Sequence, residues 1–384
     1  MEINEKSELY LCNTYARNLT LDHGKGSELW DCDGKRYIDF SSGIAVNSFG
    51  VSDQLWANAI TAQAQKLQHT SNLYYSAPAA NLAEQLCLRT GMSKVFFSNS
   101  GCEANECAIK VARKHSFDKY GAGRYRIITL TNSFHGRSMA TLSATGQPTM
   151  HTAFQPILSG FSYATANDID SLYSLVDSHT CAIMLELVQG EGGVVPLEKS
   201  FVQAAERLCK ANDMALIIDE VQTGVGRSGS LYAFQQFGIS PDIVTSAKGL
   251  GGGLPIGATL LGARVKNTLT VGSHGSTFGA NPVVCAGALS VLERIDDKLL
   301  TEITAKSELV KATLSACSKV KSVTGLGLML GVEVVGNASE IRQQLQDKGL
   351  LVLTAKKKLR LLPALNIPTE LLECGLQIIK EILE

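Results

Sequence analysis

Residues 242–255 read Asp242-Ile243-Val244-Thr245-Ser246-Ala247-Lys248-Gly249-Leu250-Gly251-Gly252-Gly253-Leu254-Pro255. The first half is an apolar run of the kind that forms a buried strand, and the second half is a glycine-rich turn. Lysines at strand ends are usually solvated, but Lys248 precedes a turn that offers no charge to pair with it. We therefore expect Lys248 to lose its proton and to attack a carbonyl group.

A second apolar run, Ala215-Leu216-Ile217-Ile218-Asp219, ends in a carboxylate 29 residues before Lys248. That spacing leaves room for one crossover helix between neighbouring parallel strands, so both side chains would emerge at one edge of a sheet. A carboxylate that keeps a ring nitrogen protonated, beside a lysine that bonds to an aldehyde, is the pair that pyridoxal phosphate requires. The alternative is that Asp219 and Lys248 end two unrelated strands.

Four motifs indicate a family, because they occur together and in a fixed order. They are Phe97-Ser98-Asn99-Ser100-Gly101-Cys102-Glu103-Ala104-Asn105-Glu106, Ser133-Phe134-His135-Gly136-Arg137, Asp219-Glu220-Val221-Gln222-Thr223-Gly224 and Ser276-Thr277-Phe278-Gly279-Ala280-Asn281-Pro282. From about Tyr15 to the C-terminus, the chain resembles the class III aminotransferases of pyridoxal phosphate fold type I. Within that class it is most similar to the enzymes that use N-acetylornithine as the amine donor.

The resemblance implies a complete cofactor site. Ser100, Gly101 and Cys102 would bind the phosphate at a helix N-terminus, where free amides favour anions. Phe134 would stack on the pyridine ring and Lys248 would bond to the cofactor. The remaining cofactor contacts implied by the family are Asp219, Glu220, Val221 and Gln222, together with Thr277 of the partner subunit. The active unit is accordingly expected to be a homodimer with two shared sites.

The resemblance also implies how substrates bind. Arg137 would hold a substrate carboxylate in a bidentate manner, with Ser276 nearby. Arg360, in the run Leu359-Arg360-Leu361-Leu362-Pro363-Ala364, would bind the α-carboxylate of glutamate. Glu191 would neutralise Arg360 when the amine donor brings no such carboxylate. Alternatively, Arg360 is an ordinary strand arginine and Glu191 a loop residue.

Three positions depart from the usual family pattern. The family commonly has Gly-His-x-His-Pro where this chain has Gly50-Val51-Ser52-Asp53-Gln54. Leu187 replaces a proline after the strand that ends at Glu186, and Ala364 replaces the second residue of a Pro-Pro pair. The first departure leaves the conformation of its loop open.

Periodicity predicts an α/β fold with a mostly parallel sheet flanked by helices, plus a small α+β domain. We expect residues 1–54 to form an N-terminal arm and part of the small domain. Residues 55–280 would form the cofactor-binding domain and residues 281–384 the C-terminal small domain. Residues from about 151 to 178 are expected to form a loop and one helix.

Composition favours a small-molecule enzyme. The 384 residues carry a formal net charge of −1 and are 45% hydrophobic, so no basic field is present to hold nucleic acid or a membrane surface. Ten cysteines lack C-x-x-C pairing and seven histidines are scattered, so we expect reduced core cysteines and no metal site. The charged N-terminus lacks an apolar targeting segment, and a cytoplasmic location is expected.

The expected reaction is transfer of the terminal amine of N-acetylornithine to 2-oxoglutarate, which yields glutamate and belongs to arginine biosynthesis. Donors such as succinylornithine, ornithine and 4-aminobutyrate stay open, because sequence does not define the acyl group. A dinucleotide-binding domain fits poorly, because Pro255 interrupts the helix that should follow a glycine-rich phosphate loop. A catalytically inert scaffold is disfavoured, because Lys248, Asp219, Phe134 and Arg137 are all present.

Overall fold

The computed structural model describes residues 2–384. Its strands are β1 Leu21–Lys25, β2 Glu28–Asp31, β3 Arg36–Asp39, β4 Lys94–Ser98, β5 Arg126–Leu130, β6 Phe161–Ala164, β7 Thr180–Glu186, β8 Val188–Gln189, β9 Val195–Pro196, β10 Ala215–Asp219, β11 Ile243–Ser246, β12 Gly257–Leu261, β13 Val320–Leu326, β14 Met329–Val334, β15 Leu350–Leu351, β16 Leu353–Ala355 and β17 Lys358–Leu361.

The helices are α1 Ile3–Tyr10, α2 Ser42–Ala45, α3 Gln54–Lys66, α4 Ala77–Thr90, α5 Gly101–Tyr120, α6 Met139–Ala144, α7 Pro148–His151, α8 Ile169–Ser174, α9 Lys199–Ala211, α10 Phe234–Phe237, α11 Pro282–Leu292, α12 Asp297–Ser315, α13 Ala338–Asp347 and α14 Thr369–Leu383. Within residues 2–384, no helix combines the length and apolar character needed to cross a membrane.

The central sheet has seven strands in the order β4-β12-β11-β10-β7-β5-β6. The strands from β11 to β6 pair in parallel, whereas β12 runs antiparallel to both of its neighbours. The predicted α/β class with a mostly parallel sheet is confirmed. Parallel strands of this kind place the side chains at their carboxyl ends along one edge.

Two strands of this sheet differ from expectation. The interval 151–178 contains the edge strand β6 as well as helix α8, so the prediction of only a loop and a helix there was wrong. Strand β12 follows the glycine turn directly, although no strand was predicted there. Because β12 and not a helix follows that turn, the structure also disfavours a dinucleotide-binding loop.

Strands β10 and β11 are parallel neighbours, with Asp219 opposite Thr245. The connection between them is not the full crossover helix that its length suggested. Its helical part is α10, which spans only four residues, and the rest is turns and irregular backbone. This connection is closely packed, since Tyr232 and Phe234 belong to the main hydrophobic cluster.

The N-terminal strands pair with the C-terminal part of the chain. Strand β15 pairs in parallel with β3, and β1, β2 and β3 complete this four-stranded sheet. A second cluster of buried side chains unites Ile38 and Phe40 with Val332, Leu359 and Leu376. These contacts join the N-terminal strands to the C-terminal small domain, and the division into residues 1–54, 55–280 and 281–384 stays a proposal.

Candidate active site

A cavity of about 460 Å³ opens at the carboxyl edge of the central sheet. Many of the residues singled out from the sequence line it: Ser100, Gly101, Cys102, Phe134, Arg137, Asp219, Val221, Gln222 and Lys248. They come from three of the four family motifs and from the segment that contains Lys248. The folding of the sheet therefore brings them to one place.

One end of the cavity is the N-terminus of α5. Ser100 is the N-cap residue, and its side chain accepts a hydrogen bond from the backbone N–H of Glu103 at 3.1 Å. The stripe of apolar residues that predicted this helix is fully buried beneath it and consists of Ala104, Cys107, Ala108, Val111 and Ala112. A 20-residue helix with one buried face, whose first turn faces a cavity, is well suited to bind a phosphate group.

The other end of the cavity holds Asp219, which is 4% exposed. Its Oδ2 atom accepts hydrogen bonds from Asn105 Nδ2 at 2.7 Å and from His135 Nδ1 at 2.8 Å. Its Oδ1 atom accepts one from the backbone N–H of Val221 at 3.0 Å. Three donors thus fix the orientation of a buried negative charge, as a partner of a protonated ring nitrogen requires.

His135 is completely buried beside that carboxylate. Burial opposes its protonation, but the hydrogen bond and the charge of Asp219, together with the charge of Glu186, outweigh burial and raise the pKa of His135. Burial also raises the pKa of Glu186 to about 7. The Oε2 atom of Glu186 accepts a hydrogen bond from the backbone N–H of Phe134 at 2.8 Å, which holds the aromatic residue at the cavity wall.

Lys248 lies two residues beyond the end of β11 and is half-buried in the cavity wall. Burial is the main cause that lowers the pKa of this amine, and the positive charge of Arg360 acts in the same direction. The charges of Glu191, Asp219 and Glu186 oppose this shift. A lysine with a lowered pKa has a larger neutral fraction, which is the form that attacks a carbonyl and accepts a proton.

Arg360 and Glu191 are in contact although they are far apart in sequence. The Arg360 Nη1 and Glu191 Oε1 atoms are 2.5 Å apart, and Arg360 is only 3% exposed. Gln222 Oε1 lies 3.4 Å from the same Nη1 atom, which connects the pair to the cavity wall.

Arg137 lies over the face of Phe134, with its guanidinium carbon 5.5 Å from the ring centroid.

The family resemblance predicted that Glu220 contacts the cofactor, but the structure places Glu220 elsewhere. It is completely buried, and its carboxylate accepts hydrogen bonds from Thr223 Oγ1 at 2.5 Å and from the backbone N–H of Phe234 at 2.7 Å. Successive side chains at a strand end point to opposite faces, so Glu220 points away from the face that Asp219 serves. These contacts give Glu220 a structural role in the β10–β11 connection.

Ser276 and Thr277 do not line this cavity within the described chain. The Ser276 hydroxyl lies 3.3 Å from Asn99 Nδ2, and Asn99 is a residue of the cavity rim. Thr277 is exposed.

The two departures from the family pattern at Leu187 and Ala364 are both buried core positions, so these side chains contribute to packing.

Asn105, His135 and Glu186 line the cavity, although none of them was predicted from the sequence as a site residue. A signal was available for Glu186, because it ends β7 opposite Asp219 in the adjacent parallel strand β10. For Asn105, the signal was a polar side chain beside the apolar stripe of α5.

Within residues 2–384, no cluster of histidine, cysteine or acidic side chains is arranged to hold a metal ion.

The family model for class III aminotransferases matches residues 12–383. The chain is 51% identical to an acetylornithine aminotransferase of Haemophilus ducreyi over 386 aligned positions, which cover 100% of this chain and 98% of that relative. It is 46% identical to one of Aquifex aeolicus, with coverage of 97% and 100%.

Solved structures of similar proteins share the whole fold. The N-acetylornithine aminotransferase of Stenotrophomonas maltophilia is 35% identical with a TM-score of 0.86, and the alignment covers 99% of this chain and 98% of that one. The ornithine aminotransferase of Toxoplasma gondii is 29% identical with a TM-score of 0.94, with coverage of 98% and 93%.

Proposed function

Because this chain belongs to the class III aminotransferases, we propose that it transfers the terminal amine of N-acetylornithine to 2-oxoglutarate. The products are the acetylated glutamate semialdehyde and glutamate. The observation that carries the choice of donor is the full-length similarity to acetylornithine aminotransferases of 41–51% identity. The ion pair between Arg360 and Glu191 supports a terminal-amine donor of some kind, because such a donor has no carboxylate to neutralise Arg360, whereas glutamate does.

Pyridoxal phosphate is the cofactor of this family, and the cavity fits it. The N-terminus of α5 suits the phosphate, the ring of Phe134 offers an aromatic face, and Asp219 suits the ring nitrogen. Lys248 supplies the amine for the aldehyde. When bound, this cofactor acts as an electron sink that stabilises negative charge at the substrate carbon.

Lys248 moves the proton of the reaction in this proposal. Its Nζ atom accepts the proton released from the substrate carbon that bears the amine, and it donates that proton again later in the half-reaction. A group that alternates between base and acid works best when its pKa is near the working pH. The lowered pKa of Lys248 therefore suits it to this role.

Arg360 would change its partner between the two half-reactions. Glutamate has a carboxylate beside its reacting amine, whereas N-acetylornithine has only methylene groups there. A buried cation without a partner is costly. Glu191 would therefore neutralise Arg360 while N-acetylornithine is bound, and Arg360 would turn to the α-carboxylate of glutamate or 2-oxoglutarate. Arg137 would bind the carboxylate at the far end of each substrate.

Glu191→Ala tests this exchange of partners. We expect kcat/KM for N-acetylornithine to fall about tenfold to a hundredfold, with less than about a threefold loss for glutamate, because the variant leaves Arg360 permanently available. Single half-reactions with each donor measure both values. Glu198→Ala is the matched control, since Glu198 is an exposed residue at the start of α9. Equal losses for both donors would show that Glu191 does not discriminate between them.

We also propose that the active unit is a homodimer in which Thr277 of the partner subunit completes each phosphate site. The support is an exposed apolar surface near this motif. Phe278 is 61% exposed, Leu73 87%, and both Tyr75 and Val271 are fully exposed. Large apolar side chains that are exposed together are typical of a surface that another protein covers.

The prediction of a cytoplasmic location stays a proposal.

Ornithine is the second candidate donor. The ornithine aminotransferase of Toxoplasma gondii shares the fold with a TM-score of 0.94, although the sequence identity is lower than for the acetylornithine relatives. Ornithine carries a free α-amine in place of the acetylated one. Rates measured side by side with both donors decide between them.

A further inference from the structure

Residues 51–54, where the chain departs from its family, lead directly into helix α3. Asp53 is the N-cap of α3, and its Oδ1 atom accepts a hydrogen bond from the backbone N–H of Trp56 at 2.9 Å. Its Oδ2 atom forms an ion pair with Arg294 Nη1 at 2.9 Å. These contacts fix the start of α3 and hence the position of Trp56.

Trp56 packs against the glycine turn that follows Lys248. Its indole Nε1 donates a hydrogen bond to the carbonyl oxygen of Gly251 at 2.9 Å. A Cβ atom on Gly252 would lie 2.9 Å from Nε1, and one on Gly253 would lie 3.2 Å from Cζ2. Both glycines have positive φ angles, 61° and 134°, so the turn and the indole are fitted closely to each other.

Ser48 holds the same turn from a second side. Its hydroxyl donates a hydrogen bond to the carbonyl oxygen of Gly249 at 2.9 Å, and the side chain is 1% exposed. The backbone of Ser48 is fixed in turn, since its carbonyl oxygen accepts a hydrogen bond from the backbone N–H of Leu365 at 2.8 Å. Two side-chain donors therefore hold two carbonyl groups of one short turn.

The turn needs such support because of the backbone at Lys248. Lys248 has a φ of 40°, in the left-handed region that is unfavourable for a residue with a side chain, and it begins a single 3-10 turn, Lys248–Leu250. Strain of this kind persists only where the surroundings over-determine the conformation. Gly253, at the end of the turn, and Leu254, which follows it, both line the cavity. Movement of the turn would therefore displace both the lysine and the cavity wall.

We propose that Ser48 and Trp56 are positioning residues that hold the turn 248–253, so that the Lys248 amine is presented to the cavity in its reactive orientation. The proposal rests on the proposed role of Lys248 but not on the identity of the amine donor. Asp53, in the segment that departs from the family pattern, acts indirectly, because it fixes the start of α3 and with it Trp56.

The test uses Ser48→Ala, Trp56→Phe and the double variant. Phenylalanine keeps an aromatic ring at position 56 but removes the N–H donor. Trp30→Phe is the matched control, since Trp30 stacks on His23 in the N-terminal sheet and is the only other tryptophan. Ser143→Ala is the second control, because the Ser143 hydroxyl also donates to a backbone carbonyl, in helix α6.

Two measurements use the protein without substrate. Amide hydrogen exchange of the cofactor-free protein reports the mobility of residues 247–256, and the visible absorbance after addition of pyridoxal phosphate reports how fast Lys248 reacts with it. Each single variant is expected to increase exchange in this segment about fivefold and to slow cofactor attachment by a similar factor, because one hydrogen bond to the turn is lost. In the holoenzyme, kcat should fall about fivefold with KM within twofold.

The outcomes separate this proposal from the proposed function. Faster local exchange and slower cofactor attachment support it whichever donor the enzyme prefers. Unchanged attachment and unchanged kcat in the double variant would overturn it. A lower Tm with faster exchange throughout the chain, but with normal attachment, would also overturn it, because Ser48 and Trp56 would then only stabilise the fold. Ser48→Ala removes a single oxygen atom and keeps the test decisive if the double variant does not fold.

Discussion

Lys248→Ala is expected to lower the rate of transamination by about four orders of magnitude or more, because both the covalent attachment and the proton transfer depend on this amine. The cavity should persist, since the lysine side chain is not part of the sheet. Steady-state rates and the visible spectrum after addition of pyridoxal phosphate measure the two effects. Lys266→Ala is the control, because Lys266 is an exposed lysine in the turn after β12. A variant that kept both its rate and its cofactor-linked absorbance would refute the assignment of Lys248.

The same variant tests the shared site of the proposed dimer. Thr277→Asp would place a negative charge against the phosphate and should inactivate the sites to which Thr277 belongs. If each site combines Lys248 of one subunit with Thr277 of the partner subunit, a mixed dimer contains one intact site. Mixing the two inactive variants should then restore about a quarter of wild-type activity, since half of the dimers are mixed and each has one working site of two. No recovery would show that both residues act within one subunit.

Asp219→Asn is expected to lower kcat about a thousandfold while the fold is retained. Asparagine has nearly the same shape but lacks the negative charge that keeps a pyridine nitrogen protonated, so the electron sink would be weakened. Circular dichroism and Tm verify the fold, and single-turnover rates measure the chemistry. Asp242→Asn is the matched control, because Asp242 is paired with Arg264 outside the cavity lining. An Asp219→Asn enzyme with normal kcat would contradict the role assigned to Asp219.

The arrangement of Asp219 and Lys248 could be predicted because it depends on local patterns. Each residue follows an apolar strand, and parallel neighbours present their carboxyl ends at the same edge. The buried stripe of α5 followed in the same way from helical periodicity. Strand β10 has the same bounds as the predicted run, Ala215–Asp219.

Other parts of the structure depend on contacts between distant segments and carry no local signal. The antiparallel direction of β12 is decided by its pairing with β4 and β11. Periodicity cannot show that His135 and Asn105 both donate to Asp219, because these contacts span 84 and 114 residues. The support of the lysine turn by Ser48 and Trp56 spans about 200 residues and belongs to the same class.

The contact between Glu191 and Arg360 is of a different kind. It joins a loop after β8 to strand β17 across 169 residues, and only the family resemblance indicated it. The structure brings the two side chains together, and the exchange of partners between substrates stays a proposal that half-reaction kinetics can test.

The most direct measurement of the central claim compares kcat/KM of the purified enzyme for N-acetylornithine, succinylornithine, ornithine and 4-aminobutyrate, with 2-oxoglutarate as the acceptor. We expect N-acetylornithine to have the highest kcat/KM, by about tenfold or more over ornithine, because acylation removes a cation that would lie near Arg137. A preference for 4-aminobutyrate or for free ornithine would contradict the proposed function.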